Sequence, residues 1–169
     1  PSDLNLPLRL AAALEDGGQV EEAEAVLRKL VADHPEFPAG HNNLGNLLQI
    51  SRKYEDALVC YRKALEREPG VAAIWVNAGN MLEELDRPDE ALEPYARAVE
   101  IEPGYAEALY FSGRARSTLG RPDAAMADIE KCLALDPADQ KALALKGVLL
   151  SQLGRRDEER ALFDYDRFV

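Results

Sequence analysis

At 169 residues the chain is long enough for one domain with a sizeable core, and its 47% apolar and 30% charged content is that of a globular protein. Ala, Leu, Glu and Arg dominate, aromatics make up only 7%, and runs of Val, Ile and Thr are absent, which favours helix and excludes a sheet protein. The formal net charge of -11 should repel phosphate backbones and anionic lipid heads, and no apolar stretch approaches the ~18 residues that span a bilayer.

Taken in chain order, the predicted elements fall into units of 34 residues. Prolines stand at Pro35, Pro69, Pro103 and Pro137, and glycines at Gly45, Gly79, Gly113 and Gly147, each series at that one period. Aligning on the glycines gives units 4–37, 38–71, 72–105, 106–139 and 140–169, the last one short. Each is predicted to hold two amphipathic helices joined by a tight turn. In the second unit Leu44, Gly45, Leu47 and Leu48 share one face of the first helix, while Ala57, Tyr61, Ala64 and Leu65 stripe the second. Gly at the eighth position, with Ala57, Ala91 and Ala125 at the twentieth, should let the two backbones approach closely.

Pro at the thirty-second position lacks an N–H and turns its predecessor away from helix, so it should end each unit. Pro88 and Pro122 suit the first turn of their second helices, whereas Pro94 falls inside one and should delete a backbone hydrogen bond and bend it. Cys60 and Cys132 lie two units apart on helical segments, which predicts reduced core thiols in a reducing, cytoplasmic compartment rather than a disulfide.

These residues resemble the tetratricopeptide repeat family. Its pattern has a bulky residue at position 4, Leu at 7, Gly at 8, an aromatic or Leu at 11, Ala at 20, an aromatic at 24, Ala at 27 and Pro at 32. The third unit carries Trp75, Ala78, Gly79, Leu82, Ala91, Tyr95, Ala98 and Pro103 in that register. The second carries His41, Leu44, Gly45, Leu48, Ala57, Tyr61, Ala64 and Pro69. The resemblance covers essentially the whole chain and implies an all-α fold, a right-handed α-solenoid of about five helical hairpins forming a single domain over residues 1–169. Departures are Ala11 and Leu27 in the first unit, Ser112, Arg116, Ile129 and Cys132 in the fourth, and Lys146, Glu159 and Asp166 in the last. The last second helix is therefore ill suited to receive a further repeat.

The same resemblance implies that first helices line the concave side of the superhelix, where a protein or peptide partner would lie. The second unit offers Asn42, Asn43, Asn46 and Gln49 there, and the third Asn77, Asn80, Glu83 and Glu84. Asn43, Asn46, Asn77 and Asn80 repeat with i, i+3 spacing along each helix. A carboxamide both donates and accepts, so such a row can pair with the backbone of an extended peptide, although solvated polar positions would give the same pattern. The string His41-Asn-Asn-Leu-Gly-Asn46 is similar to the asparagine-ladder repeats of O-GlcNAc transferases. The fourth unit replaces these residues with Tyr110, Phe111 and Arg114, and the fifth with Leu145 and Val148. They are read as an apolar anchor or as ordinary packing between repeats. A clamp for a C-terminal carboxylate is disfavoured, since Glu107 and Phe111 stand where Lys and Arg would be needed.

No catalytic, metal or cofactor site is predicted. His34 and His41 lack catalytic partners, and neither zinc-ligand spacing nor a Gly-rich loop after a strand occurs. Leu162, Phe163, Tyr165, Phe168 and Val169 crowd the end of the chain, where a terminal repeat would present a polar cap, so packing of a further domain or self-association is expected there. The segment 162–169 is similar to the junction in bacterial proteins whose repeats precede a 2-oxoglutarate, iron-dependent oxygenase. The leading expectation is a non-catalytic scaffold that binds a peptide or protein segment. The alternative is the substrate-recruiting arm of a larger enzyme, an oxygenase or glycosyltransferase, whose active site lies outside this chain.

Overall fold

The computed structural model describes residues 4–165, with side chains as far as Leu162, and all regular structure within it is helical. Ten helices follow one another: α1 (Asn5–Asp16), α2 (Val20–Asp33), α3 (Pro38–Ile50), α4 (Tyr54–Arg67), α5 (Ala72–Glu84), α6 (Pro88–Ile101), α7 (Ala106–Thr118), α8 (Pro122–Leu135), α9 (Gln140–Gln152) and α10 (Arg156–Tyr165). From α3 to α9 the first helices start at residues 38, 72, 106 and 140, so the 34-residue register of the sequence is kept to the residue.

The punctuation has local causes. The second helices are capped by His34, Glu68, Glu102 and Asp136, each out of helical geometry at φ between -125 and -136 and each directly before a proline. The proline ring excludes helical geometry from the residue ahead of it, which fixes those ends. Pro88 and Pro122 open α6 and α8, where the missing N–H would have had no partner in any case. Pro94 lies inside α6, which nonetheless continues unbroken over 14 residues.

Within each hairpin the first helix stops on a left-handed residue at position 15: Gly18, Arg52, Asp86, Gly120 and Gly154, with φ between 56 and 75. In the second unit of the register Arg52 N–H donates to Gln49 O at 3.0 Å and Lys53 N–H to Leu48 O at 2.8 Å. The same pair of bonds recurs at Gly18, Gly120 and Gly154. This is the six-to-one closure that satisfies the last helical carbonyls and reverses the chain in few residues.

The helices pack as two compact units, one ending at Asp86 and the other beginning at Arg87, so the division falls inside the third 34-residue stretch. In the first, each of α1 to α4 packs on the helix after it, and the core is built around Tyr61, Leu47, Leu48, Leu58, Met81 and Val76, all fully buried. The expected close approach at Gly45 is present, but what it admits is a ring: a Cβ there would lie 2.7 Å from Tyr61 Cε1. Glycine thus makes room for the aromatic of position 24 rather than only for the small residue of position 20. Position 4 contributes a second recurring contact. Trp75 Nε1 donates to Pro69 O at 2.8 Å and His41 Nε2 lies 2.9 Å from Pro35 O, so a ring nitrogen ties the start of one hairpin to the proline that ended the previous one.

In the unit from Arg87, α6 packs on α7, α7 on α8, α8 on α9 and α9 on α10, and α7 also reaches α9. Its core includes Leu109, Met126, Ile129, Cys132, Leu149 and Leu150. Gly113 would place a Cβ 2.9 Å from Ile129, which repeats the Gly45 arrangement with an aliphatic partner. The polar departures at Ser112 and Arg116 are matched by Asp128: Ser112 Oγ donates to its Oδ2 at 2.7 Å and Arg116 Nη1 lies 3.3 Å from the same oxygen. A buried carboxylate is tolerable only with such partners. Cys60 and Cys132 are buried and unpaired, and burial pushes both thiols up, away from the reactive thiolate. Leu162 is half-buried and packs on this unit's own core. Asp166, Phe168 and Val169, and the side chains of Phe163 and Tyr165, lie outside the described residues.

Candidate functional site

The sequence-predicted residues occupy two patches, one in each compact unit. The first lies on α3 and α5, whose common register puts Asn43 and Asn77, and Asn46 and Asn80, at equivalent places. All four carboxamides are half-buried. Asn43 Nδ2 donates back to Ala39 O at 2.8 Å, within its own helix. Asn46 and Asn77 meet directly, with Asn77 Nδ2 donating to Asn46 Oδ1 at 3.4 Å.

Tyr61 reaches the patch from below. Its hydroxyl lies 2.9 Å from Asn46 Oδ1 and 2.9 Å from Gln49 Oε1, and its single proton serves one of them at a time. Burial pushes the phenol well above its ordinary value, so it remains a donor throughout the physiological range. Read as a core ring, Tyr61 is missing from the sequence-derived site. Its signal is the choice of Tyr, with a hydroxyl, at a fully buried aromatic position. Asn42 Oδ1 is buried and has no hydrogen-bond partner.

The second patch is formed on α7. Tyr110 and Phe111 are tilted against each other with centroids 5.4 Å apart, and Tyr95 of α6 stacks on Phe111 at 5.8 Å. The Arg114 guanidinium sits 4.7 Å from the Phe111 centroid and 5.9 Å from that of Tyr110, one turn away along the same face. Such a cation is held by the ring quadrupole and by hydrophobic contact of its stem. Tyr110 also packs on the core cluster, so the ring that was open to two readings has a packing role while remaining half-exposed. Leu145 is likewise packed on the core, and Val148 is exposed.

Neither histidine meets a catalytic partner. His34 Nδ1 stands 3.8 Å from the exposed Glu36, and His41 is tied to the Pro35 carbonyl. Among the described residues no group of three His, Cys, Asp or Glu could hold a metal ion, and no helix is long and apolar enough to cross a membrane.

The fold recurs in known proteins. Family profiles described as tetratricopeptide repeat match residues 8–47, 38–70, 72–105 and 106–139. A comparison with curated protein sequences finds no match. Among solved structures, MamA protein superposes with a TM-score of 0.90 at 20% identity, over 95% of this chain and 88% of that one. MamA residues 41 to the end from Desulfovibrio magneticus give 0.85 at 20% identity, over 99% and 93%. YrrB, described as a TPR protein with an unusual peptide-binding site, gives 0.81 at 23% identity, over 94% and 81%. At these identities the likeness is one of fold. With profile matches that together run from residue 8 to residue 139, three of them starting 34 residues apart at 38, 72 and 106, and helices that keep the same register, the chain belongs to the tetratricopeptide repeat family.

Proposed function

We propose that the protein is a peptide-binding scaffold that holds an extended segment of a partner protein against its first helices. In the first unit Asn43, Asn46, Asn77 and Asn80 pair with the peptide backbone. In the second, Tyr110 and Phe111 receive an apolar side chain of a partner, with Arg114 beside them. The observation that carries this reading is the bridged pair Asn46–Asn77 on two register-equivalent helices. The internal bonds use one donor of Asn43, the acceptor of Asn46 and one donor of Asn77. The acceptors of Asn43 and Asn77 and the donors of Asn46 remain for a ligand, the complement of an extended backbone that alternates N–H and C=O. YrrB lends support, since a protein of the same fold is described as having a peptide-binding site.

The proposed activity is binding, with no chemical step assigned to this chain. Recruitment for a larger enzyme would be this same binding activity in a longer protein.

The test is to pan a phage-displayed random dodecapeptide library on the chain and measure the recovered peptides by calorimetry. Asn43→Ala with Asn77→Ala should weaken them by about 10-fold, the worth of two lost hydrogen bonds, with the helical circular dichroism unchanged. Asn46 retains its Tyr61 partner in that variant, so the hairpin core is not disturbed. Recovery of no peptide, or equal affinity in the double variant, overturns the assignment.

A further inference from the structure

Positions 9 and 24 of the 34-residue register change together along the chain. Asn46 goes with Tyr61 and Asn80 with Tyr95, whereas Ala12 goes with Leu27, Arg114 with Ile129 and Val148 with Phe163. Tyrosine thus stands at position 24 only where asparagine stands at position 9. The ring alone does not explain the pairing, because Phe163 occupies position 24 where position 9 is Val148, and glycine stands at position 8 both there, as Gly147, and at Gly45. The hydroxyl follows the carboxamide. In the first unit the coordinates show why the two belong together. Tyr61 is fully buried, and its hydroxyl donates to Asn46 Oδ1 at 2.9 Å, with Gln49 Oε1 as the competing acceptor at 2.9 Å. Asn77 Nδ2 donates to the same Asn46 oxygen at 3.4 Å. A carboxamide oxygen has two lone pairs, and these two donors occupy both.

We propose that Tyr61 is a positioning residue for peptide binding: its buried hydroxyl, together with Asn77, holds Asn46 Oδ1 so that the Asn46 Nδ2 donors are presented to a backbone carbonyl of the ligand. This rests on the peptide-binding reading above and adds the polarity of one contact, since a ligand N–H has no acceptor at Asn46. Swapping oxygen and nitrogen by rotating the Asn46 amide would give up both the Tyr61 and the Asn77 bonds, so the orientation is set before the ligand arrives, which lowers the ordering cost of binding. An asparagine that served only to satisfy a buried hydroxyl would show the same distances. In that case, however, removing the hydroxyl would leave the ligand unaffected, and the two roles separate by measurement.

The probe is the tightest dodecapeptide recovered on the parent chain, titrated by calorimetry into the full chain carrying Tyr61→Phe, Asn46→Ala or both. Tyr61→Phe keeps the ring that fills the space beside Gly45, so the helical circular dichroism should be unchanged. It should weaken the peptide roughly 3- to 10-fold, the worth of one hydrogen bond. In the Asn46→Ala background the same substitution should change affinity by less than ~2-fold, because the group it positions is gone. Without ligand, the Asn46 side-chain amide should become more mobile in Tyr61→Phe, read as a lower nitrogen order parameter by NMR. Equal affinity in parent and Tyr61→Phe, an equal loss in both backgrounds, or an unchanged Asn46 order parameter overturns the assignment while leaving the binding reading in place. Recovery of no peptide overturns the binding reading and this assignment with it.

Discussion

A methyl group added at Gly45 would sit 2.7 Å from Tyr61 Cε1, and the ring cannot yield because it is fully buried and its hydroxyl is engaged by Asn46 and Gln49. Overpacking of this kind costs about 1–3 kcal/mol, offset by the ~1 kcal/mol that Ala gains over Gly in a helix. Gly45→Ala is therefore expected to lose up to about 2 kcal/mol in a urea titration, and a raised midpoint would contradict the contact. Arg52 presents the opposite case. Its φ of 56 is costly for a residue with a Cβ, and Arg52→Gly should stabilise the chain by about 0.5–1 kcal/mol, read as a raised Tm. Asp86→Gly should gain less, since Asp tolerates that region better. The need for glycine at position 8 is legible in the sequence because it recurs at one phase. The residue it accommodates is not, since Ala57 and Tyr61 are both on the facing stripe and only coordinates tell which is nearer. The left-handed position 15 leaves a partial trace in Gly18, Gly120 and Gly154, which share the register, while Arg52 and Asp86 hide it.

Helix boundaries are the most legible elements, because proline acts on its immediate predecessor and needs no tertiary context. The asparagine row is only half legible. Periodicity places the four carboxamides on equivalent faces, yet it cannot show that Asn43 turns back to Ala39 or that Asn77 reaches Asn46, which depend on rotamers and on the distance between α3 and α5. Contacts between neighbouring second helices are similarly hidden. Glu24 of α2 accepts from Lys53 Nζ at 2.8 Å and from Arg28 Nε at 2.8 Å, and its side chain is 13% exposed. The hydrogen bond from Lys53 holds its carboxyl below the ordinary value, against an opposing effect of burial and with further help from Arg28. A carboxylate whose folded pKa is depressed stabilises the fold above the ordinary value of ~4.3, and that contribution is lost as pH falls through the folded pKa. Glu24→Gln should thus cost up to ~1 kcal/mol at pH 7, and the difference from the parent chain should shrink as the pH falls below the ordinary carboxylate range. A gap between the two urea midpoints that persists in acid would refute the assignment.

For the whole molecule, the period of the sequence is uniform and gives no hint that compact packing divides between Asp86 and Arg87. Division of that kind depends on how many side chains meet across each helix pair, a sum over many small contacts that no single position announces. In repeat proteins stability is nearly a sum of hairpin terms and nearest-neighbour terms, so damage stays local. Gly45→Ala should accelerate amide hydrogen exchange in α3 and α4 while leaving α7 and α8 at parent rates, and Gly113→Ala should do the reverse. Equal acceleration in both units under either substitution would show a single cooperative block instead.

The ring nitrogens of His41 and Trp75 fasten each hairpin to the carbonyl of the proline before it, at Pro35 and Pro69. In the later hairpins the same position is Leu109 and Leu143, which have no side-chain proton to donate to Pro103 or Pro137. The joints within the first unit are therefore pinned by a directional bond for which those within the second have no side-chain donor at that position. A directional bond resists sliding as well as separation, so the second unit is expected to have the more compliant joints, read as faster amide hydrogen exchange at the starts of α7 and α9 than at those of α3 and α5.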